Sequence, residues 1–251
     1  MNQGSISSQI EGVIAHLTFS HPAGNSCTSS MLSELTSQIN QLSEDASIKA
    51  ILLRSPEHTA FCAGANLREV VSLSSIEEAK EFFMGFARLI LAIKNCPKLV
   101  IARVHSKAVG GGVGIIAACD LAFATRKSSL RLSEINLGIA PLVIAPALIR
   151  KIGVSAFSTL SLNPTNWLDH NWGYERGLFT QKFDSLEALD EELKDRLEKI
   201  SDWSPQAMKA LKSTLWESTD SWESLLESKA ESTAQLALSD YTQEQLKKYK
   251  K

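Results

Sequence analysis

The first half of the chain alternates short apolar runs with amphipathic segments, a pattern typical of strands interleaved with helices. Residues 8–20 alternate polar and apolar side chains around a central turn, which predicts an opening β-hairpin. Apolar residues three and four apart predict helices over 31–42 and 76–93, and Ser75 with Glu78 predicts a capping box before the second helix. Buried strands are predicted by the mostly apolar runs 50–53, 99–104 and 120–124.

The pattern changes after residue 185, where strand signals stop. Charged, amphipathic helices are predicted there over 185–200, 205–216 and 221–239. Strands alternating with helices in the earlier part indicate the α/β class. We therefore predict a core over residues 1–185 and an α-helical C-terminal region over residues 186–251, packed on the core or on a partner subunit.

Composition and charge exclude several classes of protein. Hydrophobic residues make up 44% of the chain, charged residues 22%, and the formal net charge is −2. These values exclude collagen-like, disulfide-scaffold and wholly disordered proteins. A general nucleic-acid binder has a basic excess, so we predict no nucleic-acid partner. The longest apolar runs are much shorter than the roughly 20 residues of a membrane helix, so we predict no membrane partner.

The first residues and the cysteines indicate the compartment. The N-terminus lacks a charged segment followed by an apolar one, so we expect no secretory signal. The four cysteines form no CxxC pair and no zinc-type spacing; they are Cys27, Cys62, Cys96 and Cys119. We predict reduced thiols in a cytoplasmic protein with no metal site, and the pairing of two cysteines stays open.

Two loops rich in small residues are candidates for binding a ligand through the backbone. The first is Phe61-Cys62-Ala63-Gly64-Ala65-Asn66-Leu67, and the second is Val109-Gly110-Gly111-Gly112-Val113-Gly114. Their N–H groups could converge on one developing negative oxygen, although a plain tight turn is the better interpretation of either loop taken singly. The second loop has neither a Walker motif nor the G-x-G-x-x-G pattern, which disfavours nucleotide binding.

Glu134 is the one carboxylate between residues 121 and 147 of the sequence. Apolar neighbours would raise its pKa by desolvation, which suits a general acid/base. The alternative is a helix cap or an ion pair with Arg131 or Arg150. His105 is interpreted as a structural residue, because no Gly-x-Ser-x-Gly motif accompanies a possible triad with nearby Ser106.

Four segments in order, 61–67, 108–114, 118–122 and 132–139, together resemble the enoyl-CoA hydratase/isomerase (crotonase) family. The resemblance runs from about residue 8 to the C-terminus. It implies a spiral of ββα units with a helical C-terminal trimerisation region, in a homotrimer or a dimer of trimers. It also implies an acyl-CoA thioester substrate and a stabilised thioester enolate, with no metal and no cofactor beyond the CoA of the substrate.

The same resemblance implies roles for individual residues. The backbone N–H groups of Ala65 and Gly111 would form the oxyanion hole, and Glu134 aligns with the glutamate that delivers the proton. Ala63 and Leu67 would contact the adenine and pantetheine of CoA. Three further positions are implied more loosely, with Arg68 near a phosphate or facing solvent, Tyr249 over the adenine, and Pro141 at the substrate.

Three departures from the family pattern bear on the reaction. Gly114 stands where hydratases carry a second glutamate, which would make it part of the substrate pocket without a side chain. Asn66 replaces the usual aspartate of the first loop. Residues 139–146 replace a glycine-rich stretch and resemble a branch that is methylglutaconyl-CoA hydratase-like.

These features leave several reactions open. We predict hydration of a 2-enoyl-CoA, including branched or glutaconyl types, with Glu134 as acid/base. The alternatives are a Δ3,Δ2-enoyl-CoA isomerase that uses Glu134 alone, a decarboxylase or C–C lyase, and a non-catalytic acyl-CoA-binding protein. An acyl carrier protein could replace CoA. A carboxylated acyl group would need a cation, for which Lys107, Arg131 and Arg150 are the candidates.

Overall fold

The computed structural model describes residues 4–249, and of Tyr249 only the backbone. The strands are β1 (Ser5–Glu11), β2 (Ile14–Ser20), β3 (Ala50–Arg54), β4 (Leu99–Val104), β5 (Ala108–Val109), β6 (Leu121–Thr125), β7 (Ser129–Arg131), β8 (Leu168–Asp169) and β9 (Gln181–Phe183). The helices are α1 (Ser29–Glu44), α2 (Leu67–Ser72), α3 (Ile76–Asn95), α4 (Gly111–Ala118), α5 (Ala145–Ser161), α6 (His170–Glu175), α7 (Leu186–Ser201), α8 (Pro205–Leu215), α9 (Trp222–Ala237) and α10 (Asp240–Leu246).

Within residues 4–249, the main sheet has six strands in the order β1-β2-β3-β4-β6-β9. Strands β1 and β2 form the predicted antiparallel hairpin, and the remaining neighbours are parallel. The inner strands are buried on both faces, which explains why their sequences are nearly continuous apolar runs. The three strands predicted from such runs are confirmed, each within a residue or two.

A smaller sheet joins β5, β7 and β8 in that order. Its strands have two or three residues each, too few for a period-two pattern, so the sequence analysis did not predict them. The sheet is nevertheless important, because β5 leads directly into α4 and β7 leads towards Glu134.

Side-chain caps fix the start of the predicted helices. Thr28 accepts a hydrogen bond from the N–H of Met31 at the start of α1, and Ser75 accepts one from Glu78 at the start of α3. The reciprocal bond of the predicted capping box, from the Ser75 N–H to the Glu78 carboxylate, is the weakest of the hydrogen bonds that lower the pKa of Glu78. The Glu78 carboxylate accepts from the N–H and hydroxyl of Ser74, one residue before the cap, at 2.9 Å each.

The helical C-terminal region packs on the core of its own chain. Leu189, Leu193 and Leu197 of α7 pack against the outer face of the main sheet. Helix α9 lies along α3, and its apolar residues join the main core. Helix α8 is fixed by Lys212, whose buried ammonium donates to the Asp120 carboxylate at 2.8 Å. The predicted helices of this region are confirmed.

The structure also bears on the expectations about membrane spans, metal sites and cysteines. Among residues 4–249, no helix is long and apolar enough to cross a membrane. The same residues contain no group of three or more His, Cys, Asp or Glu side chains arranged to hold a metal ion. The four cysteines are buried free thiols, and the sulfur atoms of Cys27 and Cys62 lie 3.7 Å apart.

Candidate active site

A partly enclosed cavity lies between the first loop, the start of α4 and the segment that follows β7. Six of the residues predicted for the site line it: Ala63, Ala65, Leu67, Gly111, Glu134 and Pro141. Segments more than seventy residues apart in the chain therefore meet around one space. Arg68 is exposed on α2 and Gly114 is buried behind the wall, so neither lines the cavity.

Short ladders hold the two loops side by side. The N–H of Cys62 donates to the carbonyl of Lys107 at 3.3 Å, and the N–H of Val109 donates to the carbonyl of Cys62 at 2.9 Å. Gly64 has φ +83°, and a Cβ there would lie 2.8 Å from the Val109 carbonyl oxygen. A larger residue at this position would therefore push the loops apart.

The N–H groups of Ala65 and Gly111 are available to a ligand. The N–H of Cys27 donates to the carbonyl of Gly64, and the carbonyl of Cys27 accepts from the N–H of Asn66. These two hydrogen bonds do not use the N–H of Ala65, which lies between them. Gly111 is the first residue of α4, where an N–H has no partner within the helix. In the described part of the chain, no turn, loop or cap hydrogen bond uses either group.

The position of Gly111 at the N-terminus of α4 adds an electric field that favours a bound anion. The N-terminus of a helix carries a partial positive charge, which stabilises a negative oxygen placed there. Glycine is required at this position by packing, because a Cβ on Gly111 would lie 2.2 Å from Cε1 of Phe86. Ala65 and Gly111, the two residues predicted to supply the oxyanion donors, both line the cavity, one from each loop.

Glu134 begins a 3-10 helix over residues 134–137 and points its carboxyl towards the second loop. A Cβ on Gly110 would lie only 2.5 Å from its Oε1, so the carboxyl rests against the residue before Gly111. Its Oε2 is buried and has no hydrogen-bond partner. Burial raises the pKa of this carboxyl to about 7, opposed by backbone N–H groups and by the charge of Arg131.

This environment favours a chemical role for Glu134 over the structural alternatives. Neither Arg131 nor Arg150 forms an ion pair with it in the described structure. A carboxyl group with a pKa near 7 is able both to accept and to return a proton at neutral pH. Desolvation is the main cause of the raised pKa of Glu134, as its apolar neighbours in the sequence predict.

The space next to Gly114 is filled by Ile144. A Cβ on Gly114 would lie 2.2 Å from Cγ2 of Ile144 and 2.5 Å from its Cβ. Ile144 lines the cavity and is buried. The missing side chain at position 114 is therefore compensated by an apolar side chain from another segment, a partner that the sequence analysis missed because it depends on tertiary packing.

Most of the remaining wall is apolar. It includes residues of α2, α3 and the 137–144 segment, together with Thr233 of α9. The sequence carried no signal for Thr233, which lies about ninety residues beyond the other lining positions. Of the described residues that line the cavity, Glu134 alone has an ionisable side chain.

The three candidate cations lie outside this lining. The Lys107 ammonium and the Arg131 guanidinium both lie over the ring of Trp167, at 5.0 Å and 4.4 Å from its centroid. The Arg150 guanidinium stacks on Trp216 at 3.9 Å. These contacts give each cation an aromatic partner, although the charge of Arg131 still acts on Glu134 and opposes the rise of its pKa.

The other predicted residues have structural settings. Asn66 caps α2 through its side-chain oxygen, and its amide donates to Ser26 at 3.0 Å, so the cap is kept without the charge of an aspartate. The Nε2–H of His105 donates to the Thr59 carbonyl oxygen at 3.0 Å, in keeping with a structural histidine. The predicted contact of the Tyr249 side chain lies outside the described part of the chain.

Comparison with known proteins decides the family. Residues 9–250 match the family model described as "Enoyl-CoA hydratase/isomerase". The chain belongs to this family. Its predicted crotonase-like fold is confirmed by the crystal structure of an enoyl-CoA hydratase from Bacillus halodurans, with a TM-score of 0.91 and 23% identity. That alignment covers 97% of this chain and 99% of the other, and at this identity it shows the fold alone.

Curated members of the family are similar over part of the chain. A probable enoyl-CoA hydratase of Bacillus subtilis (strain 168) is 34% identical over 137 residues, or 55% of this chain and 53% of that protein. The mitochondrial methylglutaconyl-CoA hydratase of Homo sapiens is 32% identical over 117 residues, or 47% and 34%. The chain spans about half the length of the curated relatives it matches, the B. subtilis protein among them.

Proposed function

We propose that this family member moves a double bond within an acyl-CoA by proton transfer, as a Δ3,Δ2-enoyl-CoA isomerase. The observation that carries the proposal is a single buried carboxyl group with a raised pKa, in a cavity wall where Ile144 occupies the space beside Gly114. A proton shift needs one base that returns the proton it takes. Water addition is helped by a second polar group that orients the water.

The proposed reaction uses the groups around the cavity in two steps. The Glu134 carboxylate takes a proton from C2 of a 3-enoyl thioester, and the electrons of that C–H bond move into the carbonyl to form an enolate. The N–H groups of Ala65 and Gly111 donate to the enolate oxygen, a contribution of several kcal/mol in comparable sites, about 3–4 per donor. Glu134 then returns the proton to C4, and the double bond lies between C2 and C3.

The acyl group in this proposal is apolar and uncharged. A carboxylate on the acyl chain would be buried near Glu134 with no cation in the cavity lining, since Lys107 and Arg150 lie outside it and Arg131, whose charge acts on Glu134, lies over Trp167. Burying an unpaired charge is strongly unfavourable. This argument disfavours the glutaconyl-type substrates that the sequence pattern had included.

Hydration of a 2-enoyl-CoA is the second candidate. It is supported by the names of the similar proteins from B. subtilis and H. sapiens, both hydratases. The same enolate and the same oxyanion donors would serve it. Glu134 would then transfer the proton to C2 while the water is held without a second carboxylate.

One assay separates the two reactions. The protein is incubated with 3-hexenoyl-CoA and, separately, with crotonyl-CoA, and the products are followed by ultraviolet absorbance and mass. We expect the conjugated 2-hexenoyl thioester from the first substrate, and Glu134→Gln should lower its rate about 100-fold or more. A Glu134-dependent gain of one water on crotonyl-CoA, without isomerisation of 3-hexenoyl-CoA, would favour the hydratase instead.

A further inference from the structure

Ile144 and Glu134 both line the cavity, and they lie against Gly114 and Gly110, which are one helical turn apart. The carboxyl rests against Gly110, and Gly114 follows one turn later in α4, where its N–H donates to the Gly110 carbonyl at 3.3 Å. Four residues of α-helix rise about 6 Å, so the Ile144 side chain that packs on Gly114 borders the same part of the cavity.

The wall around Ile144 offers few polar groups to such a water. Residues 139–144 have apolar side chains throughout. The carbonyl oxygens of Ala140, Leu142 and Ile144 already accept backbone hydrogen bonds of 2.8, 3.3 and 3.1 Å. A water that is stably bound in a protein makes two to four hydrogen bonds. Apart from Glu134, the polar side chains of the described lining are Ser133 and Thr233, neither of which lies in the segment around Ile144, and the Thr233 hydroxyl already donates to the Lys229 carbonyl at 2.7 Å.

We propose that Ile144 determines the outcome of the reaction by keeping water away from C3 of the bound acyl group. This assignment rests on the proposed isomerisation. It gives Ile144 a role in excluding water, while proton transfer is left to Glu134. With water excluded, the 2-enoyl thioester that isomerisation forms leaves the cavity without adding water at C3, and the enolate is protonated by Glu134 alone. If a polar group replaced the methyl and ethyl groups of Ile144, a water could be held between that group and the carboxylate.

The competing step can be written for the 2-enoyl thioester in the same cavity. The water oxygen bonds to C3, the π electrons of the C2–C3 bond move to C2 and into the carbonyl, and the water gives one proton to the Glu134 carboxylate. Glu134 then passes a proton to C2, which completes a 3-hydroxyacyl thioester. No oxidant, reductant or further reactant is needed.

Ile144→Thr and Ile144→Val form the matched pair that tests the assignment. Threonine and valine have nearly the same shape, both shorten isoleucine, and they differ in one hydroxyl group. The variants and the wild type are given 3-hexenoyl-CoA, and the amounts of 2-enoyl and 3-hydroxyacyl thioester are measured by mass. We expect Ile144→Thr to raise the ratio of hydrated to isomerised product about tenfold or more over Ile144→Val, as a positioned polar group would.

The outcomes separate this inference from the proposed function. Equal product ratios for the Thr and Val variants would overturn the role of Ile144 while leaving the isomerase intact, and so would ready hydration by the wild type. An absence of Glu134-dependent isomerisation in the wild type would overturn both. If Ile144→Thr does not fold, Ile144→Ser compared with Ile144→Ala provides the same contrast between a hydroxyl group and none.

Discussion

At the scale of the residue, the chemistry depends on how Glu134 is enclosed. Its carboxyl lies beside Gly110, where a Cβ would come within 2.5 Å of Oε1, and its Oε2 has no partner. A hydrogen bond or ion pair to that oxygen would hold the carboxyl in its charged form and make it a weaker base. Burial, with no partner at Oε2 to offset it, therefore keeps the pKa of this group near neutral pH.

The pH dependence of the reaction follows from the same enclosure. Burial raises the pKa of Glu134 from 4.5 to about 7, so the base form is scarce below that pH and predominates above it. We expect kcat/KM for isomerisation to rise with pH up to about 7 and then to level off. The measurement is the initial rate from pH 5 to 9, with Glu134→Gln as the control. A rate already constant from pH 5 would contradict a base of raised pKa.

Single residues of the site were predictable to different degrees. Ala65, Gly111 and Glu134 lie in motifs that occur in a fixed order, and the cavity brings all three together. Ile144 and Thr233 escaped prediction, because their place in the wall depends on the packing of α4 against α5 and of α9 against α3. The apolar pattern shows that such residues are buried, but it does not show which neighbour they meet.

At the scale of the element, the buried ion pair of α8 governs how firmly that helix is held. Lys212 donates to the Asp120 carboxylate at 2.8 Å and to the carbonyls of Ile93 and Lys98 at 2.9 Å each. Lys212→Met would leave a carboxylate and two carbonyl groups buried without this partner. We expect a loss of about 3–5 kcal/mol in the free energy of unfolding, measured by urea denaturation.

Lys209→Met is the matched control for this substitution, because Lys209 lies on the exposed side of the same helix. A change within about 0.5 kcal/mol is expected for it. Similar losses for the two variants would mean that helix propensity or solubility, and not the contact with Asp120, accounts for the effect.

The elements themselves were predictable where they are long and periodic. Helices α1, α3, α7 and α9 repeat apolar residues over four turns or more, and each was found. Strands β5 and β8 have two residues each, and their pairing is decided by residues distant in the chain. These short strands were missed although β5 is the strand that places the second loop.

At the scale of the whole molecule, the distribution of charge around the cavity predicts which acyl groups enter. We compare 3-hexenoyl-CoA with 3-hexenedioyl-CoA, which carries a carboxylate in place of the terminal methyl group. The neutral thioester should have a kcat/KM about 100-fold or more higher, since no lining side chain is a cation among the described residues.

A Leu142→Lys variant, which places a cation in the half-buried part of the wall, provides the complementary control. Its preference should move towards the dicarboxylic substrate, while Leu142→Met should keep the preference of the wild type. Equal use of both thioesters by the wild type would contradict an uncharged acyl pocket.

The oligomeric state is a second prediction at this scale. Large apolar side chains remain exposed on α5 and α8 of the single chain, among them Val154, Leu211 and Leu215. Exposed apolar surface of this kind is a common mark of an interface between subunits. We expect light scattering to give three or six times the chain mass of 27.5 kDa. A monomer at micromolar concentration would contradict the trimer that the family resemblance implies.

The close fit of Gly114 against Ile144 also limits the mutational paths open to this protein. Any side chain at position 114 meets the isoleucine at 2.2 Å, and trimming the isoleucine while glycine remains leaves a void. Enlarging residue 114 alone or shortening residue 144 alone is therefore unfavourable, although the two substitutions together compensate each other. In a library randomised at both codons, surviving variants should show reciprocal epistasis, with substitutions at 114 recovered chiefly in backgrounds where position 144 has become small.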